Sequence, residues 1–257
     1  KITSSLKNNF LSHWKRKKSQ QLTSDLTIFT TSYSAKYARS LILYHFKKVG
    51  KEYMRKFIFN KIPQNGLILD LACGNSPFQD QLKNRVGCDY VLGKGVNVLA
   101  DSHYLPFQNE IFDTIICLEA LEHFHTPEIA VKEMARVLKP NGSLILTIPF
   151  CYPVHEAPYD FQRYTEYGLR KLFSPKFENI HIEPVFNESQ SVAILLQRLA
   201  FQSDISAFKF YCINILSYFL FSYNIFKSKK RYQSISKTIE GPFLTANYCL
   251  TASRSKK

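Results

Sequence analysis

The chain has 257 residues, with 34 Lys and Arg against 20 Asp and Glu, which gives a formal charge of +14 at pH 7. Hydrophobic residues make up 45% of it, and Gly, Pro and Cys are not enriched, which excludes disordered, collagen-like and disulfide-scaffold chains. Its six cysteines are scattered without a CxxC pair and no secretory segment opens the chain, so we expect reduced thiols and an intracellular protein.

The chain begins with a polar, basic segment, residues 1–60, that ends in a predicted helix from about Ala35 to Asn60. After a break over residues 63–66, strand-like apolar runs alternate with helical stretches. We predict strands at 67–72, 86–88, 96–99, 112–117, 143–149, 177–186 and 246–253. The clearest helix is 127–138, which has Pro127 at its first position and Asn141-Gly142 beyond its end. This alternation predicts a parallel, doubly wound sheet.

One apolar segment, between the last two predicted strands, does not fit the alternation. Ile205 to Phe226 carries one charge, and its polar residues share a narrow helical stripe: Ser206, Lys209, Ser217 and Asn224, with Asn214 beside them. A single membrane crossing is disfavoured, because it would leave the two last strands on opposite sides of the bilayer. Two interpretations stay open: a helical cap or dimer contact, and a helix that lies in the membrane interface.

The first chemical motif is a strand that ends in a small-residue turn, Leu69-Asp70-Leu71-Ala72-Cys73-Gly74-Asn75-Ser76. Small residues let backbone N–H groups approach a ligand closely. Asp89 ends the next strand, where a Rossmann-type fold places the acid that binds ribose hydroxyls. The third glycine of GxGxxG is replaced by Pro77, so the motif does not predict a dehydrogenase.

An ordered set of further motifs follows within residues 66–150. It comprises Asp101-Ser102, Leu105-Pro106-Phe107, Phe112 to Glu119, Leu121-Glu122-His123 and Arg136 to Gly142. Their order and spacing resemble the class I S-adenosylmethionine-dependent methyltransferases, in particular the bacterial group called type 11. The resemblance implies a Rossmann-like, seven-stranded, mostly parallel sheet of order 3-2-1-4-5-7-6 with an antiparallel strand 7. The expected divisions are a basic N-terminal helical extension (1–60), the cofactor-binding core (61–190), a helical insertion (191–240), and the final strand with a basic tail (241–257).

The same resemblance implies which residues bind S-adenosylmethionine. Those expected at its methionine and ribose portions are Asp70, Ala72, Gly74 and Asp89. Those expected around the adenine and beneath the cofactor are Tyr90, Asp101, Ser102 and Leu118. Two departures stand out: Ala72 replaces a usual glycine, and the stretch between Asp89 and Val96 is too short for a helix, which predicts a more open adenine side.

A polar loop after the fifth strand overhangs the expected acceptor site, because ligands of open α/β sheets bind at the carboxyl ends of the strands. The run from His155 to Thr165 resembles an H-x-x-P-x-D-F-x-R-Y-T stretch common in this methyltransferase subgroup. We expect Asp160 and Arg163 to contact substrate, with a purely structural ion pair as the alternative. His123 and His155 are the candidate bases for the acceptor's proton.

A metal site is an option at the same place. Glu119, Glu122 and His123 stand at i, i+3 and i+4, so a helical turn would gather them, with His155 approaching from a neighbouring strand end. The E-x-x-E-H pattern resembles the divalent-ion site of plant-type small-RNA 2′-O-methyltransferases and ubiquinone-pathway O-methyltransferases. It is also widespread in relatives that use no metal. We therefore expect no metal, and these four residues as ligands if one is used.

Function is predicted from these motifs together with the distribution of charge. We expect methyl transfer from S-adenosylmethionine to an O or N acceptor on a small molecule or a glycan- or lipid-linked precursor. Residues 1–60 carry a net charge of +11, 61–190 of −5 and 191–257 of +8. An acidic core disfavours a nucleic-acid backbone, whereas basic flanks beside an apolar helix suit a cytoplasmic protein held peripherally at the inner membrane face. Two alternatives stay open: a metal-assisted RNA 2′-O-methyltransferase, and a non-catalytic, cofactor-binding, membrane-docking relative.

Overall fold

The computed structural model describes residues 50–223, 231–233, 236–239 and 244–256. The described part begins in helix α1 (50–59), which matches the end of the predicted helix 35–60. The rest of the predicted helix 35–60, the remainder of the predicted N-terminal helical extension and residues 224–226 of the apolar segment lie outside the described residues. All six cysteines are described, and each is a free thiol, as expected.

Nine strands are described. They are β1 (Ile68–Leu71), β2 (Arg85–Asp89), β3 (Val98–Leu99), β4 (Phe112–Leu118), β5 (Leu138–Pro149), β6 (Phe177–Pro184), β7 (Arg231–Gln233), β8 (Ser236–Ile239) and β9 (Asn247–Arg254). Seven of them form one sheet of order β3-β2-β1-β4-β5-β9-β6, in which β9 runs antiparallel to both neighbours. The predicted order 3-2-1-4-5-7-6 with an antiparallel strand 7 is therefore confirmed. Strands β7 and β8 pair separately.

After α1, the described helices all follow β4 in the chain. They are α2 (Pro127–Val137), α3 (Glu166–Phe173), α4 (Glu188–Gln202) and α5 (Ala207–Ser222), with a 3₁₀ turn at Leu121–His123. Helix α2 begins at Pro127 as predicted and ends at Val137, because β5 starts at the next residue. The predicted strand at 143–149 is thus the end of a longer strand, in which Asn141 adopts a positive φ of 60°.

Strict strand–helix alternation, which the sequence pattern predicted, does not hold in the first half of the sheet. Residues 72–84 connect β1 to β2 through turns, and residues 90–97 connect β2 to β3 without a helix. The absence of a helix between Asp89 and Val96 was predicted from the length of that stretch. The first connection has turns after Pro77, in one of which Leu82 N donates to Phe78 O, but they do not continue into a helix.

The core lies on both faces of the sheet, because successive strand residues point to opposite sides. Leu69 and Leu71 of β1 join a cluster with Met134 of α2 and Phe173 of α3, whereas Ile68 joins a second cluster on the other face. That second cluster contains residues of α1, the 72–84 connection and the segment before α4: Ile58, Ile62, Phe78, Leu82, Val185 and Phe186. Two-sided burial holds the carboxyl ends of the parallel strands along one edge, where the candidate site lies.

Helices α4 and α5 form the insertion before the last strand of the sheet. The ring of Phe201 in α4 meets Phe210 in α5 edge to face, with centroids 5.8 Å apart, and Phe221 contacts Phe186 of the core. Within the described residues, none of the helices has the length and apolar character that a membrane crossing requires. The insertion is therefore anchored to the core at least at Phe221.

Candidate active site

The turn after β1 provides the first part of the site. Ala72 and Gly74 both adopt positive φ angles, 53° and 50°, so the chain turns sharply at the carboxyl end of the strand. Below this turn, Oδ2 of Asp70 accepts hydrogen bonds from Ser76 Oγ (2.5 Å) and Arg85 Nε (2.6 Å). Asp70 is buried, and burial raises the pKa of its carboxyl. Its observed contacts brace the turn.

Asp89, at the end of β2, is linked directly to that turn. Its Oδ2 accepts from the backbone N–H of Gly74 at 2.7 Å, and its Oδ1 accepts from that of Val91 at 2.8 Å. The expected ribose-binding acid and the expected methionine-side turn therefore lie together, as a Rossmann-type site requires. Next along the chain, Tyr90 and Leu92 are exposed, the latter at 81%, on the side where the adenine is expected.

The end of β3 adds the acidic residue expected at the adenine edge. Asp101 accepts from both the backbone N–H and Nδ1 of His103, at 2.9 and 2.6 Å. His103 is buried and stacks on His125, with ring centroids 4.1 Å apart, while Ser102 is also buried. Leu118, the last residue of β4, packs at the edge of the second core cluster. Sequence reasoning missed His103, although a His two residues after the acid was a usable signal.

The acceptor side is built around the buried carboxylate of Glu122. His123 Nε2 and His155 Nε2 lie 3.7 and 3.6 Å from Glu122 Oε1. Neither carboxylate oxygen of Glu122 has a hydrogen-bond partner among the described residues, although the side chain is fully buried. An anionic group in this setting needs a cation or proton donor nearby. The two histidines are the groups placed to supply it.

Each histidine has a different partner on its other ring nitrogen. His123 Nδ1 lies 2.7 Å from the carbonyl oxygen of Tyr159 and must donate to it, since a carbonyl only accepts. His155 Nδ1 lies 3.2 Å from Asp160 Oδ2, so this ring sits between two carboxylates. The contact with Glu122, supported by the charge of Asp160, raises the pKa of His155 above its ordinary value.

Asp160 and Arg163 are brought together, but not in the arrangement expected for Asp160. Arg163 donates to both carboxylate oxygens of Asp160, at 2.5 and 2.7 Å, and His155 N donates to Oδ2 at 2.9 Å. The Asp160 side chain is only 1% exposed, and the Arg163 guanidinium lowers its pKa to about 2. Asp160 therefore shapes the loop, which is the structural alternative. The Arg163 side chain is 25% exposed, and its contact with substrate stays a prediction.

Glu119 does not join the histidines. It follows β4 with a positive φ of 50°, and its Oε2 accepts from Asn247 Nδ2 at 2.6 Å. Burial, and then the charge of Glu122, raises the pKa of Glu119 to about 8. Asn247 begins β9, far away in the sequence, and the spacing pattern offered no signal for it.

Among the described residues, one group of acidic and histidine side chains has ligand atoms close enough together to hold a metal ion. It consists of Glu122, His123 and His155, whose ligand atoms lie within 4.8 Å of one another. One carboxylate and two imidazoles suit a first-row divalent ion. The fourth residue of the expected set, Glu119, is absent from the group because Asn247 holds its carboxylate.

Comparisons with known proteins agree with this architecture. A family model described as a methyltransferase domain, of type 11, matches residues 69–146. The probable tRNA methyltransferase 9B of Mus musculus is 33% identical over 108 residues, 37% of this chain and 24% of that protein. A demethylmenaquinone methyltransferase of Paenarthrobacter aurescens is 34% identical over 119 residues, 41% of this chain and 46% of that protein. The chain thus spans less than half the length of these two relatives.

A solved structure supports the fold over a larger part of the chain. It is a SAM-dependent methyltransferase of Thermotoga maritima, described as a possible histamine N-methyltransferase. It is 17% identical, covers 86% of this chain and 95% of its own, and has a TM-score of 0.50. The sheet has the strand order expected from the resemblance to the class I methyltransferases. Within it, residues 69–146 form a methyltransferase domain of type 11.

Proposed function

We propose that this protein transfers a methyl group from S-adenosylmethionine to an oxygen or nitrogen atom of a small molecule, or of a glycan- or lipid-linked precursor. The observation that carries the proposal is the joint placement of two sets of residues at one edge of the sheet. The Gly74 turn with Asp89 lies at the ends of β1 and β2, and the Glu122 histidine cluster follows β4.

Asp89 and Asp101 fit the cofactor's nucleoside chemically, since carboxylate oxygens accept hydrogen bonds from ribose hydroxyls and from an adenine amino group. The Asp101 side chain is 41% exposed despite its bonds to His103. When bound, S-adenosylmethionine supplies a methyl group attached to a positively charged sulfonium, and after transfer the remainder of the cofactor is a neutral thioether. The protein's task is then to align the acceptor with that methyl group and to exclude water.

His123 is our candidate for the residue that takes the acceptor's proton. Its Nδ1–H is committed to Tyr159 O, so Nε2 carries the free lone pair and faces the cluster. Glu122 would stabilise the imidazolium that forms there, in the way that a buried carboxylate supports a catalytic histidine. His155, held between Glu122 and Asp160, favours its charged form and compensates the buried Glu122 charge instead.

The experiment compares His123→Asn with wild type in transfer of labelled methyl groups to fractionated cell extracts. Asn keeps a donor for Tyr159 O but has no counterpart of Nε2, so we expect kcat to fall about 10²-fold or more with the KM for S-adenosylmethionine unchanged. His181→Asn, on the exposed edge of β6, is the matched control and should leave kcat unchanged. A kcat within threefold of wild type for His123→Asn would remove His123 from the base role.

A second candidate function, metal-assisted 2′-O-methylation of RNA, is favoured by the Glu122, His123 and His155 cluster and by the tRNA methyltransferase relative. These three side chains would hold a divalent ion that lowers the pKa of a bound hydroxyl. This function predicts that chelation abolishes transfer, that Mg²⁺ or Mn²⁺ restores it, and that RNA binding weakens steeply with salt. Full transfer in the presence of a chelator would exclude it. The non-catalytic alternative predicts cofactor binding without transfer to any fraction.

A further inference from the structure

We propose that the outward face of helix α5 docks on an anionic membrane surface. This face, called the α5 apolar face below, consists of Phe208, Ile215, Leu216, Tyr218, Phe219 and Tyr223, each between 48% and 76% exposed. Monomeric proteins rarely leave so many large apolar side chains together on one element unless the patch binds something.

The helix is turned opposite to the usual amphipathic arrangement. Its polar side chains Asn214 and Ser217 are buried and bond to carbonyl oxygens of their own helix, at Phe210 and Ile213, both at 2.8 Å. Water-facing helices place such residues outside and their aromatic residues inside. Here the aromatic contact of Phe210 with α4 helps to hold the reverse orientation. The α5 apolar face therefore needs an apolar environment outside this part of the chain.

Charge selects a membrane as that environment. Between Asp204 and Glu240 the sequence has six basic residues and no acidic one: Lys209, Lys227, Lys229, Lys230, Arg231 and Lys237. A second copy of the chain would add a second exposed Lys209 at this helix and the same basic sequence, with no acidic residue between 205 and 239 to pair with them. Anionic lipid headgroups complement them, by about 1 kcal/mol for each Lys or Arg near the surface.

The length and side chains of α5 fit a helix that lies in the membrane plane. Sixteen residues extend about 24 Å at 1.5 Å per residue, which is shorter than the hydrocarbon core of about 30 Å. Tyr218 and Tyr223 combine an apolar ring with a polar hydroxyl, which suits the level of the headgroups.

The α5 apolar face is also connected to the acceptor side. Helix α4, against which α5 packs, places the Arg198 guanidinium 4.8 Å from the ring centroid of Tyr152. The Tyr152 ring in turn meets His155 edge to face at 5.4 Å. These contacts link the docking helix, through α4, to the loop that carries His155, which suits a lipid-linked acceptor; this last step rests on the proposed function.

The test is flotation of the full chain with phosphatidylcholine vesicles, with and without phosphatidylglycerol, in the absence of S-adenosylmethionine. We expect binding to the anionic vesicles that weakens as salt is raised, and at least a tenfold loss of partitioning for the double variant Phe208→Ser/Phe219→Ser. Tyr167→Ser, an equally exposed aromatic residue on α3, is the matched control and should bind like wild type. Circular dichroism checks that the variants are folded.

A second measurement reports insertion directly. Trp14 is the only tryptophan of the chain, so Ile215→Trp in a Trp14→Phe background places one fluorophore on the α5 apolar face. Its emission should shift to the blue on anionic vesicles and be quenched by brominated lipids. Unchanged partitioning of the double variant together with an unshifted emission would overturn the proposal. The proposal would also be overturned if the chain formed a dimer that does not bind vesicles and that the double variant Phe208→Ser/Phe219→Ser dissociates. Because no cofactor is present, these outcomes are independent of methyl transfer.

Discussion

Ala72 occupies a backbone conformation that glycine adopts freely, with φ at +53°. A β-carbon in the left-handed region costs about 1–2 kcal/mol, which glycine would not incur, although it loses more entropy on folding and this side chain packs against the core cluster. The resemblance implied only that glycine is usual at this position; the structure shows that the chain makes the sharp turn with alanine. The strain therefore lies in the turn after β1, at Ala72.

We expect Ala72→Gly to raise the free energy of unfolding by about 0.5–1 kcal/mol, measured by denaturant titration followed by circular dichroism. The matched control is Ala130→Gly in α2, where φ is helical and the same change should destabilise by about 1 kcal/mol. A destabilised Ala72→Gly variant would mean that the packing of the Ala72 methyl group outweighs the strain.

Glu119 should make folding stability depend on pH. Its pKa is about 8 in the folded chain against an ordinary 4.5, so the folded state keeps a proton that the unfolded state releases over that range. The free energy of unfolding should therefore fall as pH rises from about 4.5 to about 8, by up to about 1.4 kcal/mol per pH unit. Glu119→Gln retains an oxygen acceptor for Asn247 and should flatten this part of the profile. An equally steep profile in the variant would show that other groups cause it.

At the scale of single elements, the first two connections of the sheet depend on close backbone approach. A β-carbon added at Gly87 in β2 would lie 1.9 Å from the carbonyl oxygen of Gly95, in the connection that replaces a helix. The same connection, residues 90–97, also packs on the Gly74 turn, since a β-carbon at Gly93 would lie 2.9 Å from Gly74 O. Backbone atoms cannot move aside as the end of a flexible side chain can. Gly87 is thus a structural requirement of the short connection.

We expect Gly87→Ala to destabilise the chain by about 3 kcal/mol or more, because overpacking here must displace backbone. A β-carbon at Gly50, in α1, would meet no atom of the described residues within 4 Å, so Gly50→Ala should be neutral or stabilising by up to about 1 kcal/mol. Thermal unfolding of both variants checks this. Equal melting temperatures for the two would contradict the close approach of β2 to the 90–97 connection.

Two elements show what a sequence pattern can and cannot predict. The apolar periodicity of 205–226 correctly indicated a helix, which the structure describes over Ala207–Ser222. Periodicity does not say which side of a helix faces the protein, and Asn214 and Ser217 face inward. Similarly, the i, i+3, i+4 spacing placed Glu119 with the histidines. The chain forms only a short 3₁₀ turn there, preceded by the positive φ of Glu119, so that side chain turns to Asn247 instead.

For the whole molecule, strand order and site location followed from local signals, because each motif sits at the end of a strand and parallel strands end along one edge. The hydrogen-bond partners of the site residues could not be predicted from local signals, since contacts such as that of Asn247 with Glu119 join distant parts of the chain. The charge is also unevenly distributed along the chain: the region 61–190 has a net charge of −5, and of its two basic flanks the second, 191–257, contains the α5 apolar face. The basic surplus thus supports a docking role more than a nucleic-acid substrate.

The central claim, that the Gly74 turn, Asp89 and Asp101 form a site for S-adenosylmethionine, is tested most directly by isothermal titration calorimetry of the full chain with that cofactor. We predict saturable binding at one site per chain, with affinity reduced at least tenfold in Asp101→Asn, while Tyr167→Ser binds like wild type. Absence of binding heat at several temperatures, together with no thermal stabilisation by S-adenosylmethionine, would contradict the claim.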